Sequence, residues 1–348
     1  MNALATLLGI ELPLLQAPMA GVQGHRLAVA MCEAGALGAL PGAALSPQAL
    51  ADEAAALRAA SSRPFNVNFF CHAPPAPQAG REAAWRAALA GEYRHWGIDP
   101  ADVASGPDRR PFDAQALAVL QSVRPAVVSF HFGLPDEALL APLRAMGCKI
   151  LSSATTVAEA RWLAARGVDA VIAQGLEAGG HRGHFLSDDL DEQMGTFALL
   201  PQIVAAMDLP VIAAGGIADA AGVAAAMRLG ATGVQVGTAL LRCPEADTSA
   251  LHRAALASPR AAHTALTNVF TGRPARGIVN HAIRTFGPIS PLAPAFPLAT
   301  AASAPLRKAA EAAGHDDWTP LWAGQHVPAE DADMPAAEVV RRLAAGFA

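Results

Sequence analysis

The chain has 348 residues, 53% of them hydrophobic and 16% charged, with a formal net charge of −5. That is enough chain for one large domain or two ordinary ones, and it is too apolar for a disordered segment. A mildly acidic balance offers no basic field for nucleic acid or for an anionic membrane.

Cys32, Cys71, Cys148 and Cys243 are widely spaced and form no CxxC pair. They read as reduced packing thiols rather than a disulfide framework or a zinc site, and no metal is expected. The N-terminus lacks a basic n-region, and Glu11 interrupts its first apolar stretch, so no signal peptide is expected. No run has the composition and length of a membrane helix. A soluble, cytoplasmic protein is expected, as a monomer or homodimer.

Eight short apolar runs follow along the chain: "LLQAPM" at 14–19, "ALGAL" at 36–40, "FNVNFF" at 65–70, "AVVSFHF" at 126–132, "KILSSA" at 149–154, "AVIAQG" at 170–175, "PVIAAGG" at 210–216 and "GVQVGTAL" at 233–240. Most are nearly continuous in apolar residues, the pattern of parallel strands covered on both faces. Helical segments alternate with them. One opens on Ser46 and Pro47. Another has Thr155 or Thr156 as cap with Glu159 as capping-box partner, and a third opens on Asp219 and closes on Gly230. Eight alternations predict a (β/α)8 TIM barrel. An open doubly wound sheet fits less well, because "QAPMAGVQG" after the first strand is not GxGxxG.

Two regions break the spacing. A proline-rich insertion between strands three and four is predicted to hold one helix near Arg81–Glu92. After strand eight about 105 residues remain. The predicted division is a barrel over 1–241, a cap region over 242–325 above the barrel mouth, and a C-terminal helix within 326–348 that returns to the barrel as a displaced eighth helix.

In such barrels the strands' C-terminal ends face the active site. Those ends carry amides, small residues and glycines here, at Gln16–Met19, Asn66–Asn68, Ser129–Gly133, Ser152–Thr155, Gln174–His184, Gly215–Gly216 and Gln235–Thr238. "AAGGIAD" and "QVGTALL", after strands seven and eight, allow backbone N–H groups to cradle a phosphate, with Thr238 as a hydroxyl donor. The competing reading is a pair of tight turns. Asn68 and Gln174 both donate and accept, as a flavin ring edge requires. A phosphate next to an amide-lined pocket suggests FMN.

In order and at barrel-like spacing, "QAPMAGV", "NVNFF", "SFHFGLP", "QGLEAGGHRG", "AAGGIAD" and "GVQVGTALL" resemble the FMN-dependent nitronate monooxygenases, formerly 2-nitropropane dioxygenases, in their class I branch. The resemblance covers about residues 10–300. It implies that Met19, Asn68, Gln174, Gly179, Gly180, Gly215, Gly216, Gln235, Val236, Gly237 and Thr238 hold FMN. It implies that His181 is the catalytic residue, acting on an alkyl nitronate such as propionate 3-nitronate. One-electron transfer to the flavin and reaction with dioxygen would then give an aldehyde or oxo-acid plus nitrogen oxyanions. FMN-dependent enoyl-ACP reductases and certain quinone reductases carry close variants of the "GLEAGGHRG" loop, so a nicotinamide-dependent reductase is the alternative.

The neighbours of His181 read as follows. Arg182 reads as a solvated loop arginine and Glu177 as a partner for a loop N–H or an arginine. His131 reads as structural with a place on the pocket wall, and His184 is open between the two roles. Ser290 and Phe296 are expected to contact substrate from the cap. Tyr93 is the single tyrosine of the chain, so the cap supplies no phenol.

Overall fold

The apolar runs become strands whose two faces are both buried. The structure, a computed structural model, describes residues 2–76, 78–103, 109–328 and 333–347. Among these, the strands are β1 (Leu14–Gln16), β2 (Gly38–Leu40), β3 (Phe65–Phe70), β4 (Val127–His131), β5 (Lys149–Ala154), β6 (Ala170–Gln174), β7 (Gly180–His181), β8 (Val211–Ala214), β9 (Gly233–Val236), β10 (Thr264–Thr267) and β11 (Ala275–Ile278). All but β7, β10 and β11 belong to one parallel sheet, in the order β1-β9-β8-β6-β5-β4-β3-β2. Leu15 bridges Leu37 in parallel fashion, and the Gln16 N–H donates to the Leu37 carbonyl at 2.9 Å, so the sheet closes between β1 and β2. The result is a (β/α)8 barrel whose strands are the eight runs seen in the sequence.

Side-chain alternation divides the barrel core in two. Leu15, Val127, Leu151, Ile172 and Ile212 point inward and meet Leu4 and Leu8. Those last two belong to a short N-terminal helix, Ala3–Leu8, which plugs the bottom of the barrel and is capped by Asn2. Val128, Ile150, Val171, Val211, Val234 and Val236 point outward into the helix-covered layer. Helices start where the sequence places caps. Ser46, Thr156 and Asp219 each accept a backbone N–H of the first turn. The Glu159 carboxylate, fully buried, receives the Thr155 N–H at 2.7 Å and the Phe185 N–H at 2.5 Å, which ties a helix start to the loop after β6.

The helix Ala336–Ala344 packs against the helices His25–Glu33 and Ala220–Arg228, closing the outer ring between the first and last barrel strands. Two findings go beyond the sequence reading. The insertion after β3 forms two consecutive helices, Ala79–Ala88 and Ala90–His95, rather than one. Its Trp85, Leu89 and Tyr93 share a core with Val269, Phe270, Leu306 and Trp318, so the segments after β3 and after β9 build one layer together. In addition, part of the "NVFTGRPARGIVN" loop is a strand: β11 pairs with β10 and with β7, setting Ala275 opposite His181. Among the described residues no helix is long and apolar enough to cross a membrane, and no cluster of three His, Cys, Asp or Glu is placed to hold a metal.

Candidate active site

A deep cavity opens at the C-terminal ends of the strands. Its wall brings together Met19, Asn68, His131, Gln174, Gly179, Gly180, His181, Gly215, Gly216, Gln235, Gly237 and Thr238. Val236 does not reach it, because residues alternate along β9: Gln235 faces inward and Val236 packs under the helices. Ser290 is also elsewhere. Its hydroxyl accepts the Leu292 N–H and its backbone pairs with the Asn268 side chain, so it shapes a turn rather than the cavity wall. Phe296 stands behind the wall with its ring 5.4 Å from the His181 ring.

The loop after β6 is fixed by its own side chains. Gln174 spends both ends of its amide locally, donating to the His181 carbonyl at 2.9 Å and accepting the Gly183 N–H at 2.7 Å. Arg182 is not solvated as its place among glycines suggests. It is fully buried and donates to Gln193 Oε1, the Gly175 carbonyl and the Gln174 carbonyl at 2.6–2.7 Å. Burial lowers its pKa to about 9, and the neighbouring Arg276 adds to that. A buried guanidinium is tolerated because backbone carbonyls, aligned by the tight loop, take the place of water. Glu177 accepts the Thr196 N–H at 2.8–2.9 Å and lies 2.9 Å from its hydroxyl.

His181 ends this loop inside a ring of aromatics. Phe70, Phe132, Phe296 and Trp322 stand with centroids 5.4–6.1 Å from its imidazole. Its Nε2 lies 2.9 Å from Thr271 Oγ1. Burial first, then the Arg109 guanidinium, push its pKa well below the ordinary imidazole range, so the ring is neutral at neutral pH. His131 is set in one tautomer. Its Nε2 donates to the His181 carbonyl at 3.1 Å, which leaves Nδ1 to accept from Ser153 Oγ at 2.8 Å. Burial lowers its pKa to about 3. His184 is buried as well, its pKa lowered to about 3 by desolvation, with Nε2 3.4 Å from Asp188.

The opposite wall is made of backbone. Gly215 and Gly216 have φ of +114° and +74°, a region that side-chain-bearing residues rarely adopt. A Cβ on Gly179 would lie 2.6 Å from the backbone of Ala323 and Gly324. That segment crosses the site from the far end of the chain. The Gly324 N–H donates to Thr238 Oγ1 and the Gln325 N–H to the Glu177 carbonyl, both at 2.9 Å. Gln235 Oε1 is buried here without a partner. Thr271, Trp322, Gly324 and Arg109 were not foreseen as site residues. They come from the insertion and the long C-terminal region, where no strand-end position marks them.

A family model for nitronate monooxygenase matches residues 1–346. The chain belongs to the nitronate monooxygenase family. Proteins named nitronate monooxygenase from Paraburkholderia phytofirmans and Pseudomonas aeruginosa are 42% and 43% identical to it, over 98% and 97% of this chain and 94% and 96% of theirs. A solved structure of nitroalkane oxidase from Streptomyces ansochromogenes is 42% identical and superposes with a TM-score of 0.88 over 99% of this chain and 97% of that one. FabK from Thermotoga maritima matches at 25% identity and a TM-score of 0.72, over 100% of this chain and 96% of that one. This nitronate monooxygenase family member is therefore an oxidoreductase built on a TIM barrel.

Proposed function

We propose that the enzyme oxidises alkyl nitronates with dioxygen, using FMN, to an aldehyde or oxo-acid plus nitrite or nitrate, with propionate 3-nitronate the favoured substrate. The observation that carries this reading is the position of His181: a neutral imidazole, held at both its carbonyl and its ring, facing a cavity whose other side is glycine backbone.

The residues present fit FMN. The positive-φ glycines Gly215 and Gly216 and the Gly237–Thr238 turn leave room for a phosphate against backbone N–H groups. Gln235 Oε1, buried without a partner, is an acceptor that a ring N–H would satisfy. Asn68, whose Nδ2 is bonded to Ser129, and Met19 complete the holding set with Gln174, Gly179 and Gly180. When bound, FMN supplies an electron acceptor that dioxygen can reoxidise. The protein's own part is positional. A nitronate arrives already anionic, so His181 need only hold its oxygens, and the surrounding rings exclude water. Thr271 orients the imidazole, and Gln174 and His131 fix the backbone beneath it.

Purified protein should be yellow and should consume oxygen with propionate 3-nitronate. Rapid anaerobic bleaching by NADH, together with no reaction with nitronate, would establish instead a nicotinamide-dependent reductase, the alternative that the "GLEAGGHRG" loop implies. Colourless protein that takes up no added FMN would overturn both.

A further inference from the structure

Thr271, the partner of the His181 ring, is held in turn by Arg273. The Arg273 N–H donates to Thr271 Oγ1 at 3.4 Å, and that oxygen lies 3.3 Å from the Arg273 carbonyl and 2.9 Å from His181 Nε2. Neither Thr271 nor Arg273 is on the cavity wall, so each reaches the chemistry only through His181.

The Arg273 side chain runs from the β10–β11 loop to two other loops. Its guanidinium carbon lies 4.2 Å from the centre of the Phe132 ring, just after β4, and its Nη2 donates to the His184 carbonyl, in the loop after β7. The Phe132 ring stands edge-on to His181 at 6.0 Å. The next residue adds a backbone link: the Pro274 carbonyl accepts the Arg182 N–H at 2.8 Å. On the far side, Gly272 has a φ of +88° and no room for a side chain, since a Cβ there would lie 2.1 Å from the Pro294 carbonyl oxygen. The turn that carries Thr271 is thus pressed against the cap on one side and drawn by Arg273 onto the His181 loop on the other.

A methionine of similar length would also cover Phe132. What arginine adds is a flat charged face for the ring and a donor for the carbonyl. It does so although its Nε is buried without a partner, a cost that packing alone does not explain. Burial is the first cause that lowers the pKa of His72, His131, His181 and His184, and the Arg273 charge adds to it in all four.

We propose that Arg273 is a positioning residue: it clamps the β10–β11 loop onto the loops after β4 and β7, and so holds the Thr271 hydroxyl against His181 Nε2. This rests on the reading of His181 as the group that holds the nitronate, and extends it to a residue off the cavity wall.

The test is a double-mutant cycle on the FMN-loaded enzyme with T271V, R273M and T271V/R273M, assayed on propionate 3-nitronate. Each single variant should lose about tenfold in kcat, the worth of one hydrogen bond, with flavin content unchanged. Because Arg273 acts through Thr271, the double variant should lose little more than either single one, about 10- to 20-fold rather than about 100-fold. R273K, which keeps the charge and a donor, should recover part of the loss. Losses that multiply, an R273M variant as active as the wild type, or activity and flavin content falling together would overturn the assignment. A second readout needs no turnover. In protein labelled with 15N at histidine, the His181 ring resonances, identified by their absence in His181→Asn, should move in R273M as they do in T271V; resonances that stay at their wild-type positions in R273M overturn the clamp. Should R273M not fold, R273K replaces it in both measurements, with smaller changes in the same directions. A wild type that turns over no nitronate strikes the functional reading alone, since the ring resonances still decide the clamp.

Discussion

The cavity has two walls made in different ways. One is backbone: Gly179, Gly215, Gly216 and the Gly237–Thr238 turn, crossed by the Ala323–Gln325 segment and stitched to it by main-chain donors. The other is side chains: His181, Phe70 and Trp322, with Phe132 and Phe296 packed behind them against the His181 ring, each from a different stretch of chain. A backbone wall needs the absence of Cβ atoms at given positions, and it fails when one is added. A side-chain wall is held by packing among residues remote in sequence, so single replacements there change chemistry while the cavity keeps its shape.

His181→Asn should have the largest effect. Turnover of nitronate is expected to fall about 100-fold or more while the protein still binds flavin, because a positioned acid–base or anion-holding group typically contributes that much. Oxygen consumption alongside the flavin spectrum checks both halves, and unchanged turnover removes His181 from the mechanism. Gly179→Ala attacks the opposite wall. The new Cβ lies 2.6 Å from the Ala323–Gly324 backbone, which cannot move aside like a flexible side chain. Overpacking of this kind costs about 1–3 kcal/mol, and flavin content and melting temperature should drop together. If Gly179→Ala loads and melts like the wild type, the close approach of the two backbones has no energetic weight.

Thr271→Val sharpens the comparison by removing the hydroxyl that orients the imidazole and also bonds the Arg273 backbone. One hydrogen bond to the imidazole is worth about 1–1.5 kcal/mol, so kcat should fall about tenfold with flavin affinity unchanged, and Thr271→Ser should restore most of it. An equal loss in both variants would mean that the methyl packing matters rather than the hydroxyl.

Acid should weaken the whole site, since buried neutral histidines lie on it and behind it. Desolvation lowers His184 to about 3 and His252 to about 4, and both are fully buried. The unfolded chain would protonate them below about pH 6.5, whereas the native state cannot until far lower. Stability is therefore complete above about pH 6.5 and falls as pH drops toward the native values, by up to about 1.4 kcal/mol per pH unit for each histidine. Denaturant midpoints between pH 7.5 and 4.5 would reveal this, and a flat profile would contradict the burial argument. The smallest effect is expected from Ser290→Ala, which removes only an acceptor for the Leu292 N–H: turnover should be unchanged within experimental scatter.

How much of this was legible in the sequence differs between the walls for the same reason. The barrel strands could be read because each is buried on both faces and so apolar at nearly every position, and the helices because their caps are local hydrogen bonds. Gly215, Gly216 and the Gly237–Thr238 turn could be read because they directly follow strands, where a positive φ or a close approach has to be written as glycine. His181 could be read because it ends a loop leaving β6.

Beyond those stretches the tertiary structure decided. Arg182 looked solvated among glycines, yet the folded loop turns three acceptors onto it and buries it completely. Ser290 sits in a cap segment but shapes a turn, and Val236 follows Gln235 but faces the other way. Trp322 and Arg109 reach the cavity, and Thr271 reaches the His181 ring, only because the insertion after β3 and the chain after β9 fold into a shared layer above the barrel. Local periodicity and turn chemistry are properties of neighbours in sequence, and on their own they determined the barrel and its glycine wall. Which remote side chains meet around His181 depends on how two long insertions pack, and no local pattern carries that information.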